Sequence, residues 1–310
     1  MFPGLMADKY PIWLDGEIVP YEAATTHVLS HSLHYGLGAF EGIRAYKGED
    51  GRSAIFRLKE HVKRLFDSCR IATIEVPFTE QEICDAILHV VRHNKLAECY
   101  IRPLVWLGEG SIKVAALDNA VRVAIAAWPW GAYLGDEALE RGVRLCVSSY
   151  SRIGVRSHFE KAKISGQYVN SVLAKREALA NGFDEAILLD AQGFVAEGTG
   201  ENIFVVRDGT IFTPPRGSSI LAGITRDTLL TLAADAEIPV REETITRSDL
   251  YLNDEVFMCG TAAEVTPVRE IDGRIIGNGR RGPVATRIQK DYFHAVRGSH
   301  SNHPEWLTYI

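Results

Sequence analysis

The chain has 310 residues, 46% of them hydrophobic and 24% charged, and a formal net charge of −6. That length supports a large core and predicts two domains rather than one. The mildly acidic balance excludes nucleic acid or a membrane surface as the main partner, since neither attracts such a protein, and leaves room for a local basic pocket.

In chain order, the start MFPGLMADKYPIWLDGE has no basic beginning followed by an apolar run, so no export signal is read and a cytoplasmic location is expected. Asp15-Gly16 within IWLDGEIVP predicts a hairpin. Leu58, Val62, Leu65, Phe66 and Cys69 recur at helical spacing over 58–70. Arg64 lies far from that stripe and is read as solvated. Thr79 and Glu82 make a capping box that opens a helix to about Asn94. RPLVWLG and AVRVAIAAW read as strands. VAIAAWPWGAYLG (123–135) is too short, and too broken by Pro and Gly, to span a bilayer. The block PWGAYLGDEALERG (129–142) interrupts the pattern, and the connection between a small domain 1–128 and a larger one 138–310 is placed at 129–137. Beyond it come strand VRLCVSSY, a helix from about Gly166 stopped by Asn181-Gly182, strands AILLD and FVAEG, and a hairpin at Asp208-Gly209. A helix after Thr225, strand VFMCG, a hairpin at Asp272-Gly273 and a last helix near 283–297 follow. The tail GSHSNHPEW has two readings, a loose end or a segment packed through Trp306 and Tyr309. Hairpins mixed with helices predict an α+β fold with largely antiparallel sheets. Cys69, Cys84, Cys99, Cys146 and Cys259 are scattered and read as reduced, buried thiols.

The chemistry concentrates between Lys163 and Asn202. A lysine just before a helix sits at that helix's positive end, which disfavours the ammonium and favours a nucleophile for an aldehyde. Lys163 in KISGQY meets this condition, with Tyr168 in the first helical turn, while Lys161 is a rival on composition. A carboxylate in a Gly-rich turn suits a protonated ring nitrogen. Glu197 and Glu201 in EGTGEN both qualify, and Asn202 can position either. In Gly223-Ile224-Thr225, Thr225 reads as an N-cap, and the helix start with its hydroxyl reads as an anion site. Thr261 in CGTAAE adds a second hydroxyl. GxGxxG and GxxxxGK[ST] are absent, so a nucleotide is not the obvious anion. Aromatic residues mixed with Arg44 and Arg102, in HSLHYGLGAFEGIRAY and YIRPL, suit a pocket for apolar groups and carboxylates. His27, His31 and His34 lie close together without a second ligand cluster, so no metal is expected.

HYGLGAFEGIRAY, YIRPL, PWGAYLG, KISGQY, EGTGENIFVV, TPP, LAGITRD and DEVFMCGTAAEVTPV occur in one order over nearly the whole chain. In these stretches the sequence resembles the branched-chain amino-acid aminotransferases of class IV, which use pyridoxal 5′-phosphate. The resemblance implies fold type IV: a smaller N-terminal α/β sandwich domain and a larger, cofactor-binding C-terminal domain with a barrel-like β core. It implies transfer of the amino group of leucine, isoleucine or valine to 2-oxoglutarate in two half-reactions. It selects Lys163 over Lys161 as the Schiff-base lysine and proton carrier, and Glu197 over Glu201 as partner of the ring nitrogen. By position it assigns Tyr168 to the phenolic oxygen, Arg64, Gly223, Ile224, Thr225 and Thr261 to the phosphate, Leu221 to the ring face, and Asn202 to the cofactor pocket. It assigns the substrate's α-carboxylate to Thr261, Ala262, Ala263 and Tyr100, and its side chain to Phe40, Trp130 and Tyr133. The distal carboxylate of glutamate goes to Arg102, with Arg44 in the same pocket and Tyr35 from a neighbouring subunit. A shared site implies at least a homodimer, with a dimer-based hexamer as a larger form, and no nucleic-acid or membrane partner. One departure is GEGSIKV (108–114), where relatives carry a more Gly- and Met-rich loop over the pocket; Ser111, Ile112 and Lys113 leave the substrate range open. The alternatives are another reaction on the same cofactor (D-amino-acid or (R)-amine transamination, or aminodeoxychorismate lysis), opposed by YIRPL and GTAAE, and a non-catalytic scaffold, opposed by Lys163, Glu197 and Thr225 together.

Overall fold

Three Asp-Gly pairs turn the chain into tight hairpins. In the computed structural model, which describes residues 9–115, 117–131, 133–299 and 302–310, both residues of Asp15-Gly16, Asp208-Gly209 and Asp272-Gly273 take positive φ. Each pair joins antiparallel strands, as this dipeptide favours. Residues 1–8, Ala132 of the connecting block, and His300 and Ser301 of the tail lie outside the described residues. The chain divides into two units. The first holds the described residues up to Trp130 with Ala162–Gly166 and Val296–Ile310; the second holds Gly131–Lys161 and Gln167–Ala295.

The first unit is built on an antiparallel sheet ordered Leu307–Tyr309, Ser53–Phe56, Ile43–Lys47, Cys99–Leu107, Val121–Trp128, Ile12–Leu14, Glu17–Val19. Pro103 sits in the middle of Cys99–Leu107, where a missing N–H normally interrupts a ladder. The facing edge is split at that point. Ile43–Ala45 pairs with Cys99–Ile101, and Gly38–Phe40 pairs with Leu104–Trp106. Glu41, in the break, donates its N–H to the Pro103 carbonyl (3.0 Å). Helices Leu58–Ile71 and Glu80–His93 bury Leu58, Val62, Leu65, Ile83, Ile87 and Val90 in one core with Ile43, Ile101 and Ile125. Thr79 and Glu82 close the expected capping box. The tail packs rather than hanging loose. Leu307–Tyr309 pairs with Ser53–Phe56, and buried Trp306 stacks on His303 at 4.1 Å.

The second unit's sheet runs Val195–Gly198, Glu185–Leu189, Val143–Val147, Glu264–Ile271, Glu255–Gly260, Asn202–Arg207, Thr210–Thr213, Val240–Glu242. It is more mixed than expected, with three parallel pairs among the described residues. Its edge returns on itself. The Val195 N–H donates to the Ile245 carbonyl (2.8 Å), and Phe194 bridges Thr246, which gives the barrel-like core. The helix expected from Gly166 opens with a 3₁₀ turn, Ser165–Gln167, and continues as Tyr168–Ala180. The 129–142 block is partly regular, because Asp136–Arg141 is helical. All five cysteines are unpaired and buried. No helix among the described residues is long and apolar enough to cross a membrane.

Thr79→Ala deletes the box's side-chain acceptor and should lower stability by about 1 kcal/mol. The check is the midpoint of urea-induced loss of helical circular dichroism; an unshifted midpoint would mean that packing alone holds Glu80–His93.

Candidate active site

In the first unit a polar ridge beside an apolar stripe organises the lysine. His61, Arg64 and Ser68 fall at i, i+3 and i+7 of helix Leu58–Ile71 and so share one side of it. Glu41, turned out at the strand break, accepts from Arg64 Nε (2.6 Å) and Nη2 (2.9 Å) and from His61 Nδ1 (2.7 Å). Burial pushes the Glu41 carboxyl upward, but Arg64 and His61 outweigh it and hold the group well below the carboxylate range. Burial also depresses His61, against the pull of Glu41. The imidazole is therefore neutral, with its proton on the Nδ1 that faces the carboxylate. One turn on, Ser68 Oγ accepts from the Lys163 N–H (2.9 Å). The Lys163 carbonyl accepts from the Phe40 N–H (3.1 Å), and Ala39 bridges Ile164. The lysine backbone is thus held between ridge and strand, with Nζ 5.1 Å from the Phe40 ring centroid. Arg102 lies over the same ring (4.8 Å) and donates to the Tyr100 hydroxyl (2.9 Å). Tyr100 meets Trp130 edge-on at 4.6 Å, and Arg44 donates to the Trp130 carbonyl (3.2 Å). Arg102 Nε is buried without a hydrogen-bond partner among the described residues. Phe40, Arg44, Tyr100, Arg102, Trp130 and Lys163 are therefore neighbours. Tyr35 turns to the 108–114 loop instead, where its hydroxyl donates to the Ile112 carbonyl (2.9 Å).

Arg64 corrects the sequence reading. Its side chain is 14% exposed and ion-paired, not solvated, because helical periodicity registers the apolar stripe and cannot see an acid 23 positions earlier. Glu41 and His61 were not anticipated. The spacing of 61, 64 and 68 beside the stripe was the available signal.

In the second unit Glu197 is the third residue of strand Val195–Gly198, just after a register shift, and is buried. Its Oε1 accepts from Arg152 Nε (2.7 Å); its Oε2 accepts from the Leu221 N–H (3.0 Å) and Asn202 Nδ2 (3.2 Å). Arg152 was also missed, since nothing in SRIG marks it. Asn202 Nδ2 donates as well to the Leu221 carbonyl (3.0 Å), and its Oδ1 lies where a Cβ on Gly223 would stand (2.0 Å). Gly223 is extended and is itself the N-cap of helix Ile224–Asp235. This corrects the expected Thr225 cap: Thr225 lies inside the first turn and is buried. As N-cap, Gly223 has no side chain of its own to cap that helix start. Thr261, Ala262 and Ala263 form the turn between Glu255–Gly260 and Glu264–Ile271, and the Ala262 carbonyl accepts from the Tyr133 N–H (3.4 Å). Tyr168 opens its α-helix. Lys161 is tied to the carbonyls of Arg216, Ser218 and Ile220.

Residues 38–271 match the family described as amino-transferase class IV. A branched-chain-amino-acid aminotransferase of Pseudomonas aeruginosa is 51% identical, over 98% of this chain and 99% of its own. One from Escherichia coli is 46% identical over 96% and 97%. Among solved structures, an Escherichia coli branched-chain amino acid aminotransferase has a TM-score of 0.94 at 46% identity, covering 97% of this chain and 99% of its own. A T.th. branched-chain amino acid aminotransferase with pyridoxamine 5′-phosphate has 0.94 at 51% with the same coverage. The T.th. structure complexed with N-(5′-phosphopyridoxyl)-L-glutamate has 0.93 at 50%, again over 97% and 99%.

Glu201, the rival acid, is buried without an arginine. Burial and the neighbouring Glu185 push its carboxyl up to about 8. Between its ordinary value of 4.5 and about 8, the folded protein holds a proton that the unfolded chain has released. Stability therefore falls as pH rises through that window, by at most about 1.4 kcal/mol per pH unit, and levels off above it. Glu201→Gln removes this share. Melting curves of the cofactor-free protein between about pH 5 and pH 8 should show the wild type losing ground to the variant as pH rises; parallel curves would refute the protonated Glu201.

Proposed function

The chain belongs to the class IV aminotransferases, and from that premise we propose that it is a branched-chain-amino-acid aminotransferase. It moves the amino group of L-leucine, L-isoleucine or L-valine to 2-oxoglutarate with pyridoxal 5′-phosphate as cofactor. What carries this reading is 51% identity, over nearly the whole of both chains, to a relative of that name, joined to residues whose chemistry fits the cofactor. A buried acid ion-paired with Arg152 suits a protonated ring nitrogen, and a helix start whose N-cap is a glycine suits a phosphate. Bound pyridoxal 5′-phosphate supplies an electron sink for charge developing at the substrate's α-carbon.

The chain's own residues supply the rest. Lys163 would hold the cofactor through Nζ and, displaced by the substrate's amine, would serve as the base that moves the α-proton. Glu197 would keep a proton on the ring nitrogen, and Asn202 and the Leu221 N–H keep Glu197 in place. Gly223, Ile224, Thr225 and Thr261 offer backbone and hydroxyl donors to the phosphate, with Arg64 as counter-charge oriented by Glu41. Phe40, Trp130 and Tyr133 take the branched side chain. Tyr100 and the turn Thr261, Ala262, Ala263 take the α-carboxylate. Arg102, whose Nε is buried without a partner among the described residues, takes the distal carboxylate of glutamate; a matching ligand, N-(5′-phosphopyridoxyl)-L-glutamate, is bound by the T.th. relative. Tyr168 would meet the phenolic oxygen.

Assembly belongs to the same reading. Val28, Leu29, Leu33, Tyr35, Ile112, Val114 and Leu117 are exposed, and His31, His34 and Tyr35 tie them into one surface by hydrogen bonds to the carbonyls of Val114, Val28 and Ile112. An apolar face of this kind fits a second copy of the chain, to whose site Tyr35 would contribute. Five unpaired thiols fit a reducing, cytoplasmic setting.

Lys163→Ala should abolish transamination of L-leucine and the cofactor's visible absorbance. Borohydride reduction followed by peptide mass spectrometry should place the cofactor on Lys163; a label on Lys161, or a full rate in the variant, would sink the assignment. Leu33→Asp with Val114→Asp should shift the protein toward monomer in sedimentation velocity, and an unchanged sedimentation coefficient would place the subunit contact elsewhere.

A further inference from the structure

The second unit buries a group of charges that the proposed reaction does not use. Glu185 is fully buried at the head of Glu185–Leu189. Its Oε1 accepts from Thr199 Oγ1 (2.8 Å) and the Ala186 N–H (2.7 Å), and its Oε2 accepts from Lys175 Nζ (2.6 Å). Lys175, on helix Tyr168–Ala180, donates also to the Asp184 carbonyl (2.6 Å). Its ammonium lies 5.5 Å from the ring centroid of Tyr133, and the Tyr133 N–H donates to the Ala262 carbonyl. Glu201 stands on the other side of the same turn, against Gly198 and Gly260. The contacts run in sequence from the Glu197 turn, through Thr199, Glu185 and Lys175, to Tyr133 and the turn at Ala262. A cation is held best by a buried carboxylate whose remaining acceptor sites are satisfied. Glu185 meets that condition, so it fixes the ammonium and the ammonium in turn fixes the aromatic face.

We propose that Lys175 is a positioning residue for amino-acid selection: anchored on Glu185, it holds the Tyr133 ring at the place where the substrate's side chain is sorted. The inference rests on the function proposed above, which gives Tyr133 its place in the side-chain pocket. Glu197 keeps its own partners, Arg152, Leu221 and Asn202, so losing Lys175 acts on substrate binding more than on the chemical step.

The test compares wild type, Lys175→Met and Lys175→Arg. In the loaded enzyme, Lys175→Met should raise KM for L-leucine about fivefold, the loss of one cation–π contact, with kcat within about twofold, and Lys175→Arg should restore KM. In the cofactor-free protein, chymotryptic cleavage after Tyr133 should quicken about fivefold in Lys175→Met and not in Lys175→Arg. Unchanged KM and cleavage, even with a lower melting temperature, would overturn the proposal by reducing Lys175 to a structural brace. If wild type fails to transaminate L-leucine, the functional reading falls, and equal cleavage rates in the cofactor-free proteins would then separately remove the Lys175–Tyr133 link. Should Lys175→Met not fold, Glu185→Gln keeps the anchor's shape without its charge; wild-type KM and cleavage in that variant would overturn the proposal equally.

Discussion

Burying a carboxylate is the constraint around which each unit of this protein is built. A carboxylate taken out of water without a partner costs several kcal/mol. In the first unit that acid is Glu41, and two short bonds from Arg64 with a third from His61 offset the cost. Meeting this need forces helix Leu58–Ile71 to present 61 and 64 toward the strand break opposite Pro103. Ser68, one turn on, is then brought to the Lys163 N–H. The placing of the lysine's backbone follows from the hiding of Glu41. In the second unit Glu197 imposes the same demand. Arg152, the Leu221 N–H and Asn202 answer it, and Asn202 in turn leaves room at 223 only for glycine. The acid thus limits, through Asn202, which residue can stand before the helix start at Ile224.

Glu201 shows what happens without an arginine. It is buried four positions from Glu197, and the cation nearest to it, Lys175, is bonded to Glu185. The remaining solution is a proton, which is why its carboxyl is pushed up to about 8 by burial and by Glu185. Two acids of one short turn thus sit in opposite environments, Glu197 against an arginine and Glu201 without one, and environments that set paired groups apart in this way divide their roles. An ionised Glu197 can accept a hydrogen bond from a ring N–H; a protonated Glu201 is poorly suited to it. The difference between them lies in their partners, not in residue type.

What the sequence made legible was local. Asp-Gly turns, the Thr79 and Glu82 box and the Asn181-Gly182 stop act over four residues or fewer, and each appears in the fold. What it hid was pairing across distance. Arg64 looked solvated because its acid lies in another element. Arg152 carried no mark because its partner is 45 positions away. Thr225 satisfied the capping rule, yet the helix begins one residue before it, with Gly223 as N-cap, at a position where Asn202 leaves no room for a side chain. The mixed sheet of the second unit was missed for a similar reason, since hairpins announce antiparallel pairs and nothing local announces a parallel one.

Lys161 shows why an eased ammonium alone does not make a catalytic lysine. Burial lowers its affinity for the proton, against the pull of Glu160 and Glu197, and by that measure it would be a better nucleophile than an exposed lysine. Its Nζ, however, is committed to three carbonyls, those of Arg216, Ser218 and Ile220. At about 1.5 kcal/mol for each charge-assisted bond, leaving all three costs roughly 4.5 kcal/mol, about two-thousandfold in population. An amine that must exchange a covalent bond for a proton in every turnover cannot begin from such a hold. Lys163, the lysine proposed for that role, is gripped by its backbone, through Ser68 and Phe40, which fixes where its side chain starts.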